Sequence, residues 1–244
     1  MKQPIFFFLP LVLFILLPYS QATAQSDSSA FALAVAQFHR VLSPENGLYN
    51  GGEYVDYSST LKSGHPYFGS ELPYGGGVTY DGIRYDHLQL WYDVVADAVV
   101  LIPPNMGFKM TLLSPKLHDF DLAGQRFLRL TRDSTRDIRT GFYELLYDGR
   151  IRLFRRTSKN IQENVTAQGV ERYIYADSSY YLDKGGHFFP INRKKSLLAA
   201  LADKRRDVQV FIRRNKISLK RGKDEALVKI ITYYDGLAYA DASR

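Results

Sequence analysis

Two Asp-Gly pairs, each set between alternating apolar and aromatic residues, restrict this chain more than any other feature. Tyr80-Asp81-Gly82-Ile83 and Tyr147-Asp148-Gly149-Arg150 have the form of tight reversals between antiparallel strands, and Lys184-Gly185-Gly186-His187 has the same form. Between the first two, strands are expected near residues 88–94, 98–102, 108–113, 116–121 and 126–131. Further strands follow near 142–147, 150–156, 172–176, 180–184 and 187–190. Connections this short favour neighbouring antiparallel strands, so residues 78–190 are read as a β-meander forming a curved sheet.

The last fifty or so residues switch period. Leu197, Leu198 and Leu201 form one helical stripe, Val208, Phe211 and Ile212 a second, and Leu227, Ile230, Ile231 and Tyr234 a third. Asn192, Asp203 and the Asp224-Glu225 pair stand where helix starts want a cap or negative charge. Arg213-Arg214-Asn215 and Gly236 suit helix ends. Three short amphipathic helices over 191–238 cannot stand alone, so they must dock on the sheet. With a short helix over 29–42 and an aromatic, Gly-rich segment up to residue 77, the expected class is α+β, one structural domain over 25–238.

Residues 1–24 read as a cleavable signal peptide: Lys2, an apolar run from Ile5 to Leu17 broken by Pro10, then Ala22-Thr23-Ala24. The run is thirteen residues long, whereas a bilayer-spanning helix wants roughly twenty. The chain has no cysteine, which removes disulfides, thiolate metal sites and a cysteine nucleophile together. A fold without them rests on burial, and 18 Tyr with 15 Phe supply it.

Charge is unevenly placed. Residues 191–229 hold thirteen Lys or Arg against four Asp or Glu, or +9, while residues 25–190 carry about −2. Lys194, Lys195, Lys204, Arg205, Arg206, Arg213 and Arg214 are therefore the expected binding residues, facing an anionic envelope component or an acidic envelope protein, with peripheral membrane contact as one form of it. Nucleic acid is the polyanion least available to an exported chain.

Signals for chemistry are sparse. Asp81, Asp86, His87 and Asp93 are the nearest approach to a ligand cluster, but turn acids beside an exposed imidazole account for them more simply. Ser59-Thr60-Leu61-Lys62 matches a Ser-x-x-Lys dyad that only a helix would align. Glu53, Glu71 and Glu144 are undistinguished carboxylates for a hydrolytic pair. Gly75-Gly76-Gly77 lacks the Lys-Ser/Thr of a phosphate loop. Asn164-Val165-Thr166 and Asp133-Ser134-Thr135 have the form of glycan acceptors. No cofactor or catalytic residue is assigned. The expectation is a non-enzymatic envelope binding or scaffolding protein. The alternatives are a periplasmic carrier of a small apolar or sugar ligand, with residues 49–74 closing over it, and a hydrolase assembled across strands.

Leu48-Tyr49-Asn50-Gly51-Gly52-Glu53-Tyr54, Gly64-His65-Pro66-Tyr67-Phe68, the Asp81-Gly82 hairpin running into Trp91-Tyr92-Asp93, the run from Gly141 to Gly149, and the tail from Lys194-Lys195-Ser196-Leu197-Leu198 to Tyr233-Tyr234-Asp235 together resemble an uncharacterised exported family of Bacteroidota. The resemblance implies a Gram-negative envelope setting, periplasmic or at the outer membrane, and assigns no activity or site residue.

Overall fold

A computed structural model describes residues 47–104, 106–132, 138–220 and 222–242, the last five as backbone. The expected signal peptide, the helix over 29–42 and the Asp133-Ser134-Thr135 triplet lie outside the described residues. The fold is α+β: eleven antiparallel strands in one open sheet and three α-helices among the described residues. The strands are β1 (Gly52–Glu53), β2 (Tyr74–Tyr80), β3 (Ile83–Asp93), β4 (Ala98–Leu101), β5 (Met110–Thr111), β6 (Leu117–Leu122), β7 (Gln125–Leu130), β8 (Gly141–Asp148), β9 (Ile151–Thr166), β10 (Gly169–Lys184) and β11 (His187–Pro190). The helices are α1 (Lys194–Ala200), α2 (Arg205–Arg214) and α3 (Lys223–Ala242).

Asp81 and Gly82 both take positive φ, 52° and 79°, so that Tyr80 faces Ile83 across a two-residue turn whose twist suits the flanking strands. The order across the sheet is β1-β5-β4-β3-β2-β6-β7-β8-β9-β10-β11. Consecutive strands are neighbours except at two places: β1 lies beside β5 at the sheet edge instead of beside β2, and after β5 the chain returns to lay β6 beside β2. The strands thus form two runs growing in opposite directions from the β2–β6 pair.

The sheet curls between β3 and β8. Tyr92 on β3 and Phe142 on β8 are four strand spacings apart, roughly 19 Å on a flat sheet, yet their ring centroids lie 6.0 Å apart. Phe120 and Phe127 stack between them at 4.7 Å, and Val78, Tyr80, Leu90, Val99, Leu101 and Leu122 complete a dry core on this concave face. The aromatic segment before β2 is strapped onto the sheet. Phe68 N–H donates to the Tyr92 carbonyl and Val94 N–H to that of Pro66, while the Tyr80 hydroxyl donates to Asn50 at 2.6 Å.

The helices cover the other end. Leu197, Leu198, Leu201, Val208, Ile212, Leu227, Ile230, Ile231 and Tyr234 are buried against Ile151, Leu153, Tyr180 and Leu182 of β9 and β10. Phe211 is half-buried and stacks on Tyr233 at 3.9 Å, joining α2 to α3. Polar ties reinforce the seam. Arg155 on β9 bonds buried Glu144 on β8 and reaches Asp224 in the first turn of α3, which also accepts the Tyr180 hydroxyl at 2.6 Å. Asp235, buried in α3, accepts from the Tyr147 hydroxyl at 3.0 Å and from Arg150 N–H and Nε at 3.2 Å, fixing the β8–β9 turn.

Several local expectations are corrected. Gly236 does not end a helix. α3 runs six residues past it despite the roughly 1 kcal/mol that a helical glycine costs, with Tyr234 and Asp235 just before it tied to Asp203 and to Tyr147 and Arg150. Asp203 caps no helix but supplies the negative charge in the first turn of a short 3-10 helix, where Lys184 and the Tyr234 hydroxyl donate to it at 2.8 Å. The cap of α1 is Arg193, closed by Ser196, and not Asn192. Finally, β9 and β10 are each sixteen residues long, so residues 157–171 are strand and turn where the sequence offered no alternation.

Candidate functional site: a basic groove on the docked helices

Burial of one face of α1 and α2 dictates which side chains point outward. With Leu197, Leu198, Val208 and Ile212 in the core, Lys194, Lys195, Arg205, Arg206, Arg213 and Arg214 are exposed, and Lys204 is half-buried. None of the six exposed cations forms an ion pair among the described residues, in contrast to Lys184, Arg150, Arg152 and Arg155, which all meet carboxylates. Arg213 and Arg214 suit the negative end of α2, whereas Arg205 and Arg206 occupy its positive end, where the helix dipole opposes them.

The seven expected residues do not form one site. Lys194 and Arg213 come together with Lys216, Gln209, Ile212 and Ile217 around a groove of about 550 Å³. Lys195, Lys204, Arg205, Arg206 and Arg214 lie outside its lining. Lys216 was missed by sequence reading because it follows the helical stripe. Its φ of 52° places it in the left-handed turn that closes α2, which swings the chain back so that Ile217 N–H bonds the Ile212 carbonyl at 3.0 Å. Three cations around a floor of two isoleucines, with no carboxylate among the lining residues, can hold an anionic head group and leave its apolar portion on the floor.

A second groove, of about 660 Å³, crosses the glycine run Gly75–Gly77. It contains Asp86, His87, Gln89, Asp121 and Arg84, and Arg84 bonds both Asp86, at 2.8 Å, and Asp121. The Asp81–Asp93 cluster is dispersed. Asp81 pairs with Lys116 at 2.8 Å, and Asp93 is fully buried, accepting from the hydroxyls of Tyr54 and Tyr57 and from the N–H groups of Val95 and Ala96. No group of three His, Asp or Glu with metal-ligand geometry occurs among the described residues.

Other candidates are engaged structurally. Lys62 of the Ser-x-x-Lys match pairs with Glu171 at 2.7 Å, and Ser59 lies in a 3-10 turn. Glu144 is pushed up by burial against the opposing pull of Arg155 and lines neither groove, while Glu53 and Glu71 are exposed. The strap itself carries a polar cluster absent from the sequence reading. Asp56 accepts from the Tyr67 hydroxyl at 2.8 Å and from Lys109 at 2.6 Å, and that ammonium lies 4.7 Å from the Trp91 ring centre. Burial pushes the Asp56 carboxyl up, but bonds from Lys109 and Ser58 outweigh it and hold it well below the usual carboxylate range. Lys159 donates to the His65 and Tyr67 carbonyls at 2.9 and 2.6 Å, and burial, followed by Lys159, holds the His65 imidazole down.

No helix among the described residues is long and apolar enough to cross a membrane. No protein-family model, curated protein or solved structure matches this chain, so its groove stands on its own geometry.

Proposed function

We propose that the chain is a non-enzymatic binding or scaffolding protein of the bacterial envelope, exported on its N-terminal segment to the periplasm or the outer membrane. In this reading the basic helices contact an anionic component of that compartment, such as lipid or lipopolysaccharide phosphates. The sheet supplies a rigid platform, and the groove between Lys194, Arg213 and Lys216 is the point of contact.

The observation that carries the reading is the set of cations without carboxylate partners around an apolar floor. Elsewhere on the described surface cations mostly find carboxylates, as Lys62, Arg84, Lys109 and Lys116 do. A helix that keeps Arg205 and Arg206 at its positive end gives up a few tenths of a kcal/mol each. A surface selected for stability alone has no use for that arrangement, whereas an anion-facing surface has.

Co-sedimentation with vesicles tests it. Binding to vesicles containing phosphatidylglycerol is expected, with little to phosphatidylcholine alone, and it should weaken as salt rises. The triple substitution Lys194→Glu, Arg213→Glu, Lys216→Glu should abolish it. Equal binding to both vesicle types, or retention by the triple variant, overturns the reading.

A further inference from the structure

The β9–β10 hairpin projects an arm whose outer edge has no neighbour among the described residues. The two strands pair along their whole length, from Ile151 opposite Lys184 to Thr166 opposite Gly169. β8 accompanies β9 only as far as Glu144 opposite Arg155. Beyond that point β9 has a described partner on one side alone.

The backbone phase of that edge follows from the other side of the arm. Lys62 N–H donates to the Arg172 carbonyl and Ile174 N–H to the Ser63 carbonyl, so Arg172 and Ile174 face away from β9. Glu171 and Tyr173 therefore face it, meeting Asn164 and Gln162. Ile161, Glu163 and Val165 must then turn both N–H and C=O outward. None of these groups finds a partner among the described residues on that side.

Natural sheets blunt such edges with proline, lysine or a bulge. Between Asn160 and Thr166 this edge has none of these, and its only charge is Glu163. The arm also carries apolar side chains where solvation would favour polar ones: on the edge Val165 is 86% exposed and Ile161 36%, and Val170 beside Val165 on β10 is 52% exposed.

We propose that this edge pairs antiparallel with the same edge of a second copy of the chain, about a twofold axis at Glu163. Within one arm Ile161 lies opposite Ile174, and Val165 opposite Val170. Centring on Glu163 sets Ile161 against Val165 of the second copy. A continuous row Ile174–Ile161–Val165–Val170 then crosses four strands, once on each side of the axis. On the opposite face Gln162 meets Asn164, an amide pair. Each outward-facing residue exchanges N–H and C=O bonds with its opposite.

Other registers that preserve the faces are worse. Moving the axis to Gln162 or Asn164 sets Ile161 or Val165 against Glu163. Moving it to Ile161 runs the second copy's tip to Arg155, where β8 already lies. The chosen register has one unfavourable pair, Glu163 against itself, eased because Arg172 donates to each carboxylate at 2.7 Å.

That pair gives the proposal a signature. Sedimentation equilibrium of the whole chain should show a monomer–dimer equilibrium. Glu163→Gln should tighten it, and Val165→Lys should weaken it by about tenfold or more. Ile161→Pro removes only an outward N–H, a position that edge strands tolerate, and should leave a folded monomer by circular dichroism. If that variant unfolds, Val165→Lys decides, since its side chain already stands in solvent. A wild-type chain that stays monomeric at hundreds of micromolar overturns the proposal, as does a Val165→Lys variant that dimerises as well as wild type.

Discussion

Replacing Arg155 by methionine removes one charge from the seam between sheet and helices and keeps most of the stem that packs there. Among the described residues Arg155 is the only cation bonded to Glu144, which is 5% exposed, and it also holds Asp224 at the start of α3. Its own side chain is 17% exposed, so solvent screens the pair weakly. Breaking a buried pair by removing one partner costs roughly 3–5 kcal/mol, because the remaining charge is left without compensation. Asp224 suffers less, since it keeps the Tyr180 hydroxyl. Burial already raises the Glu144 carboxyl and Arg155 opposes that rise. Without Arg155 the carboxyl rises further, and the folded variant holds its proton more tightly than the unfolded chain does. Stability of Arg155→Met is then greatest below the ordinary carboxyl value of 4.5 and falls as pH rises towards the folded value, by at most about 1.4 kcal/mol for each pH unit crossed. Urea unfolding followed by circular dichroism should show a deficit of several kcal/mol at pH 7 that shrinks at pH 5. Glu144→Gln in the same chain should recover part of it at pH 7. A deficit below about 1 kcal/mol at pH 7, or one equal at both pH values and unrelieved by the second substitution, would refute the reasoning.

Gly76→Ala should destabilise by about 1–3 kcal/mol, read as a lower urea midpoint, because its Cβ would press into the Asp121 carbonyl of the adjacent strand. Gly75→Ala, with open space around it, should cost far less. The Asp56 carboxyl is held below its ordinary value of 3.8, so the unfolded chain takes up a proton first as pH falls. Its contribution is present above that value and lost on acidification below it; Lys109→Met should remove most of this acid-sensitive step from the pH dependence of the melting temperature. The His65 imidazole is held below 6.5, so it contributes stability that fades as pH falls below 6.5. His65→Asn should flatten the melting temperature between pH 7 and 5, and an unchanged slope would count against the assignment.

How much of this was legible depends on the kind of signal. Asp81-Gly82 announced its hairpin because only residues that tolerate positive φ close a two-residue turn. The stripes at Leu197, Val208 and Leu227 announced the buried faces of the helices, since period 3.6 survives in sequence. The arm at 157–171 was invisible because Ser158, Asn160, Gln162 and Asn164 make one face polar while Thr157, Lys159 and Glu163 interrupt Ile161 and Val165 on the other, leaving too weak an alternation to read. The return of β6 to β2 is a long-range choice that no local pattern encodes. The cationic character of the tail was plain, but not which cations meet. Lys194 and Arg213 are nineteen residues apart, and Lys216 reaches them only through a left-handed turn. Likewise nothing local in the sequence marks Asp93 and Asp235 as buried, yet burial with tyrosine and arginine partners makes them clamps.

Hydrogen–deuterium exchange of the whole chain with and without phosphatidylglycerol vesicles reaches the anion-binding claim most directly. Peptides spanning the α1 start and the α2 end, from Lys194 to Ile217, should gain protection at low salt, while β2 to β7 exchange as before. Protection confined to the strands, or none anywhere at low salt, would contradict a docking role for the basic helices.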